Sequence, residues 1–308
     1  MAFRLTDGDL AIVRTVAEHR ILTIQQLSLR CDRNAVVMHR RIQQMEDAGL
    51  IRAAKSVFGR KRGQPEKLIS LAREGIRILR DRNILGLKVS DAWVVAEAIP
   101  CVDHQLLTNW FWLQSAQVPR IAPQLTTAFL SPMSPFLGHD QENQPMIFDR
   151  APAEKPDGKP VGFTPDGVLC INHAAQQKTV LFFLEVDMGN QTLASPGGAY
   201  PDIRQKILNY QGYFRSLGYK RYEQVWNCHF RGFRLLFLAD TAQRRSALCR
   251  LVRGMQPADF IWLADQDQLL HQGLWARIWA RGGQEDIPAE SILGSQMPQP
   301  CPSPALSA

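Results

Sequence analysis

The sequence has 308 residues, 45% of them hydrophobic, which is enough to build substantial cores and fits two domains better than one. The net charge of +7 is unevenly spread: residues 1–82 hold 17 Lys+Arg against 9 Asp+Glu, leaving 19 against 20 in residues 83–308. No stretch approaches the roughly 20 apolar residues of a membrane span, the start has no apolar core of signal-peptide length, and the six cysteines show no C-x-x-C or paired spacing. A membrane protein and a disulfide scaffold are therefore not expected, and a cytoplasmic chain with reduced thiols is.

In chain order, Thr6 with Asp9 three residues on predicts a helix start, and Leu10, Ile12, Val13 and Val16 carry an apolar stripe to about His19. Thr23 can cap a second short helix that ends near Arg30. A third helix is expected from about Arg33 to Ala48, with Val37, Ile42 and Met45 inward, and Gly49 ends it. Two strand-like runs then flank the cationic turn G-R-K-R-G-Q-P, and L-A-R-E-G-I-R-I-L starts another helix.

This order is that of a winged helix-turn-helix domain, expected over residues 1–82. In it Arg33, Asn34, His39, Arg40 and Arg41 would face double-stranded DNA, and Arg60, Lys61 and Arg62 in the wing would grip phosphates. A basic module joined to a near-neutral one fits that reading, with a solvated basic face or a protein-binding wing as the alternatives.

Residues 83–100 lack a clear period and read as a linker or connecting helix. The second domain is expected over residues 101–283, opening with the apolar helix C-V-D-H-Q-L-L-T-N-W-F-W-L, where His104 and Asn109 are the polar exceptions. Loops follow between Ser131 and Pro160, with a short strand at Met146 to Phe148. Strands are then expected at F-T-P-D-G-V-L-C-I and T-V-L-F-F-L-E-V-D, a helix from about Pro201 to Leu217, and alternating strand, helix and strand through D-F-I-W-L-A-D. That alternation predicts an α/β sheet with parallel pairs. The Pro- and Ser-rich stretch 284–308 reads as a disordered tail.

Chemistry concentrates between Thr164 and Asp187. Val180 to Leu184 is an unbroken apolar run, as in a strand covered on both faces, and it leads into Glu185 and Asp187, which share one face at i and i+2. Asp166, beside the neighbouring strand, could join them. Three carboxylates at a sheet rim repel one another unless a cation sits among them, which points to a metal site.

The spacing P-D followed by E-x-D resembles the PD-(D/E)xK nuclease fold, with Asp166 and Glu185 at the two acidic positions and Asp187 where that pattern has lysine. The resemblance implies a restriction-endonuclease-like mixed sheet flanked by helices, with Asp166, Glu185 and Asp187 holding Mg2+ or Mn2+ for a metal-assisted attack of water on phosphate. Lys206, on the following helix, is the candidate to supply the missing cation. More widely, L-T-D-G-D-L-A-I-V-R-T-V-A-E-H-R-I-L-T-I-Q-Q-L, R-R-I-Q-Q-M-E-D-A-G-L-I, F-T-P-D-G-V and F-L-E-V-D-M-G resemble the replication-relaxation family of plasmids and integrative elements. Conjugative relaxases with a restriction-endonuclease-like domain are related to that family.

What this implies is a mobile-element DNA-binding protein that nicks DNA in replication or transfer, alongside other transfer or replication proteins. The alternative is a non-catalytic regulator whose second domain serves as a dimerisation or partner module. Two further ideas are weaker. Tyr210 and Tyr213 lie three apart on one helix, as a tyrosine nucleophile would require, but no His-apolar-His motif accompanies them. Cys170 with His173 and Cys228 with His229 lack the second pair that a zinc finger needs.

Overall fold

The computed structural model describes residues 3–55, 67–139, 144–153, 158–195 and 202–294. It divides into two compact units, Met1–Leu113 with Met133–Gly138, and Gln114–Pro132 with His139–Ala308. Arg60, Lys61 and Arg62, expected in a wing, lie outside the described residues.

The first unit opens with α1 (Asp7–His19), whose N-terminus is closed by a reciprocal capping box between Thr6 and Asp9. Strand β1 (Ile21–Thr23) leads into α2 (Ile24–Cys31), where Thr23 and Gln26 repeat the same device. After α3 (Ala35–Asp47), Gly49 takes φ +72, a conformation open to glycine at little cost. Strands β2 (Ile51–Lys55) and β3 (Lys67–Leu71) pair antiparallel, and β1 adds to the other side of β3, giving the order β1-β3-β2. Helix α4 (Arg73–Asp81) follows β3.

Three expectations change here. Val37 is 57% exposed, and Met38 takes the inward place with Ile42 and Met45, the i, i+4, i+7 stripe that helical geometry requires. β1 was not expected, because three residues are too few to show a period. Residues 83–100 contain α5 (Asp91–Val94), and Leu85 and Val94 are buried in the same core as Ile12, Val16, Leu27 and Ile69. Each such side chain contributes about 1.5–3 kcal/mol on burial. The segment is therefore part of the first unit, and so are the first twelve residues of α6 (Val102–Ser115).

Asn109, the polar exception of that apolar helix, is fully buried and saturated. Its amide donates to the carbonyls of His19 at 3.2 Å and Ile21 at 2.7 Å, and its oxygen accepts from Gln105 at 3.0 Å and faces His19 Nδ1 at 3.2 Å. Gln26 adds a bond to the Leu106 carbonyl at 2.9 Å. Burial, aided by the charge of Arg30, lowers His19 to about 3, so its imidazole is neutral.

In the second unit, α7 (Val118–Ile121) precedes β4 (Thr126–Leu130). A small hairpin of β5 (Asp149–Ala151) and β6 (Val161–Phe163) follows, a few residues beyond the strand expected at Met146 to Phe148. Next come β7 (Gly167–His173), β8 (Lys178–Asp187), α8 (Ile203–Arg215), α9 (Arg221–Trp226), β9 (Phe233–Ala239), α10 (Ala242–Arg253), β10 (Ile261–Asp265), α11 (Gln266–Gln272) and β11 (Ala280–Arg281). The sheet order is β11-β10-β9-β8-β7-β4; β8, β9 and β10 run parallel, while β4, β7 and β11 pair antiparallel.

This is a mixed sheet in an α/β protein. β8 is central and buried from Leu181 to Asp187, as an unbroken apolar run requires. Phe183 anchors α8 and α9 through ring contacts with Tyr210, Tyr213 and Tyr222 at 5.6–5.9 Å. The chain stays packed past Gln284: Trp279 bridges Glu290, and Ile292 and Leu293 are buried, so the disordered tail expected from 284 is not found over 284–294, and 295–308 lie outside the described residues.

Candidate functional site at the end of the central strand

Glu185 and Asp187 project from the same face of β8, one turn of the pleat apart, yet they meet different partners. Glu185 is 3% exposed and both of its oxygens are engaged. Lys206 Nζ lies 2.6 Å from Oε2, and the Tyr210 hydroxyl donates to Oε1 at 2.6 Å. Lys206 and Tyr210 stand at i and i+4 on α8, so one helix face presents both. The phase of that helix is set by Asp202 at its N-cap, whose carboxylate accepts from the Gln205 N–H at 2.8 Å and from Ser195 N–H and Oγ at 2.5 and 2.7 Å.

Asp187 is held by Arg244, in the first turn of α10, with Nε at 2.7 Å and Nη2 at 3.3 Å. The same guanidinium donates to the Gln191 carbonyl at 2.5 Å, and Gly189 N–H caps Asp187 Oδ1 at 3.0 Å in the turn after β8. Asp166 sits beside Glu185, immediately before the adjacent strand β7: its N–H donates to the Leu184 carbonyl at 3.0 Å, and its Oδ2 accepts from Val186 N–H at 2.8 Å. Gly167 is required next to it, because a Cβ there would meet the Phe129 ring at 2.1 Å.

Burial pushes the Glu185 carboxyl up, with Asp166 adding to the shift and Lys206 and Tyr210 opposing it. For Lys206 burial is the largest influence and works downward, but Glu185, Asp166 and Asp187 outweigh it and the net shift is upward, so the ammonium persists at neutral pH. Burial and the neighbouring Glu185 raise Tyr210 well above its ordinary value, which keeps it a hydroxyl donor.

The three carboxylates do not form one centre. Among the described residues no three His, Cys, Asp or Glu side chains come together to hold a metal, which also covers Cys170 with His173 and Cys228 with His229. Arg244 supplies the cation that Asp187 needs, so Asp187 does not fit a metal ligand. Asp166 and Glu185 remain side by side, and one or two carboxylates are the usual protein share of a Mg2+ shell completed by water and phosphate.

Sequence reasoning missed a second buried acid. Asp149 accepts from Tyr213 at 2.7 Å, Arg221 at 2.6 Å and Tyr222 at 2.8 Å. Tyr210, Tyr213, Tyr219 and Tyr222 are all buried, and three of their hydroxyls are committed to Asp149 or Glu185. They pack as core, as their stripe suggests. Arg244 was also missed, because an arginine in a helix's first turn carries no sequence signal for an acid on a distant strand.

In the first unit, Arg33, His39 and Arg40 are exposed, together with Val36 and Val37. Asn34 caps α3 by accepting from Val36 N–H at 2.8 Å. Arg41 turns instead to Asp9, with Nε 2.6 Å from Oδ1 and Nη2 on Oδ2, and it also bonds Gln44 and the Arg4 carbonyl.

A family model described as Replication-relaxation matches residues 13–227, well over half of the sequence. The chain belongs to the replication-relaxation family. No curated protein matches it significantly. The matched span of this replication-relaxation protein includes Asp166, Glu185, Asp187, Lys206 and Tyr210 and ends before Arg244. Membership supports a role in the replication or transfer of plasmids and mobile elements.

Proposed function

We propose that this replication-relaxation protein binds double-stranded DNA through a winged helix-turn-helix in its first unit and nicks a DNA strand at the Glu185 rim of its second. The observation that carries the cleavage reading is Lys206 at 2.6 Å from Glu185. The lysine missing from the strand pattern is delivered from the next helix. The strand order β4-β7-β8-β9, antiparallel twice and then parallel, supports a restriction-endonuclease-like core.

Asp166 and Glu185 would hold Mg2+ or Mn2+, which when bound lowers the pKa of a water and offsets charge on the phosphate. Lys206 neutralises Glu185 in the resting protein and is placed to present its ammonium to an incoming phosphate oxygen. Tyr210 keeps Glu185 oriented from its other oxygen, and Asp187 with Arg244 braces the turn beyond the site. In the first unit, Arg33, His39 and Arg40 would meet phosphates and base edges, and exposed Val36 and Val37 suit contact with thymine methyls.

A supercoiled plasmid incubated with Mg2+ and the protein tests this reading. Open circles are expected with wild type and not with Glu185→Gln; equal nicking by the two overturns the assignment. A second reading, a non-catalytic DNA-binding regulator, is favoured by one observation: both Glu185 oxygens are already occupied. It predicts metal-independent gel shifts that Glu185→Gln leaves intact, with no cleavage of any substrate.

A further inference from the structure

At the opposite end of the sheet, five residues back along β8 and roughly 17 Å from Glu185, lies a cleft of about 390 Å³. It opens where β8, β9 and β10 begin, and its size falls in the roughly 300–1,000 Å³ range of small-ligand clefts. Arg231, Arg234 and Arg281 line it, and Phe214 and Phe260 form part of its wall. The two rings lie 5.4 Å apart and are only partly buried.

The positive charge here is under-compensated. Among the described residues, neither Arg231 nor Arg234 has a carboxylate within ion-pair distance, and Arg281 has only the long 3.7 Å contact to Asp259, which is itself 80% exposed. Arg234 stacks over Trp262 at 4.6 Å and is half-buried, and burial together with the neighbouring Arg281 outweighs the opposing charge of Glu290. Such an arrangement costs stability unless an anion offsets it.

Arg234 also lines a second cleft of about 390 Å³, which adds Lys178 and His173. Two clefts sharing one arginine suit a ligand with repeated phosphates rather than a single anion. Aromatic faces interleaved with guanidinium groups suit unstacked bases, and concave clefts of this size exclude the convex surface of a duplex.

We propose that this double cleft binds single-stranded DNA, with bases against Phe214 and Phe260 and phosphates on Arg231, Arg234 and Arg281. The site is separate from the Glu185 rim and does not depend on cleavage there. Binding is therefore read in EDTA, where nicking cannot contribute.

The experiment is fluorescence anisotropy on the full chain with a labelled oligothymidylate of about 12 nucleotides and, in parallel, a labelled duplex. Arg231→Glu with Arg281→Glu changes two exposed side chains; Arg231→Glu alone serves if the double variant melts early. The expected result is a tenfold or greater loss of single-strand affinity, a shallower salt dependence, and duplex affinity within twofold of wild type. A loss of less than threefold, an equal loss on duplex, or competition by polyglutamate as effective as by unlabelled oligothymidylate overturns the proposal.

Discussion

Arg244 closes on Asp187 with two donors, Nε at 2.7 Å and Nη2 at 3.3 Å, and both side chains are largely shielded from water. Removing one member of such a pair leaves the other charge buried and alone. Arg244→Ala should therefore destabilise the protein by about 3–5 kcal/mol, measured by urea denaturation. Adding Asp187→Asn to Arg244→Ala should restore part of the loss, and strict additivity of the two changes would show that they do not interact.

Lys206→Met removes the cation from Glu185. Lys206 is 31% exposed, so solvent compensates in part, and the cost should be about 2–3 kcal/mol, below the range for fully buried pairs. Under the cleavage reading, nicking disappears in this variant while Lys206→Arg keeps a trace. A Lys206→Met protein that nicks at the wild-type rate would remove lysine from the mechanism.

Glu185 has a folded-state pKa raised above its ordinary value of 4.5, mainly by burial. The folded state then holds its proton more tightly than the unfolded chain, so stability falls as pH rises from about 4.5 through the raised value. Glu185→Gln should flatten that part of the curve, read as urea midpoints between pH 4 and 7. An unchanged slope would mean that Glu185 is not the group responsible.

His19 gives the opposite slope in the first unit. Its folded pKa is lowered to about 3 while the unfolded value stays near 6.5, so the unfolded chain takes up the proton first as pH falls. Stability is full above 6.5 and should have dropped by about 3 kcal/mol at pH 4.5. Replacing His19 with Gln should remove this dependence even if it lowers stability at neutral pH.

Duplex binding by α3 can be separated from its folding. Asn34→Ala removes a helix cap and should cost about 1 kcal/mol, whereas Arg40→Ala touches no packing and should leave the melting temperature unchanged. Under the DNA-binding reading, Arg40→Ala weakens duplex affinity and reduces the salt slope by about 0.9. An Arg40→Ala protein with unaltered affinity and slope would place α3 away from the phosphates.

Much of this was legible in the sequence wherever one local rule acts alone. Thr6 with Asp9 and Thr23 each announce a helix start, and both close as capping boxes, the second through Gln26. The run Val180 to Leu184 gave a buried strand because nothing polar interrupts it. What local rules could not supply was partnership across the fold. Asn109 bonds to residues 88 and 90 positions away, Arg244 reaches an acid 57 positions back, and Asp149 is met by side chains 64 to 73 positions on. Three acids close in sequence were expected to share one cation, yet the chain brings Lys206 to one and Arg244 to another.

The stripe of α8 next to the one that faces Glu185 holds Gln205 and Asn209, which hydrogen-bond to each other at 3.2 Å. A helix turns about 100° per residue, so starting α8 one residue out of place would move the ammonium and the phenol off Glu185 and bring neutral amides towards it. Whether that carboxylate meets a cation is thus decided not at Lys206 but four residues earlier, where Asp202 fixes the first turn. A single residue inserted after Asp202 should break the Lys206–Glu185 pair without altering either side chain.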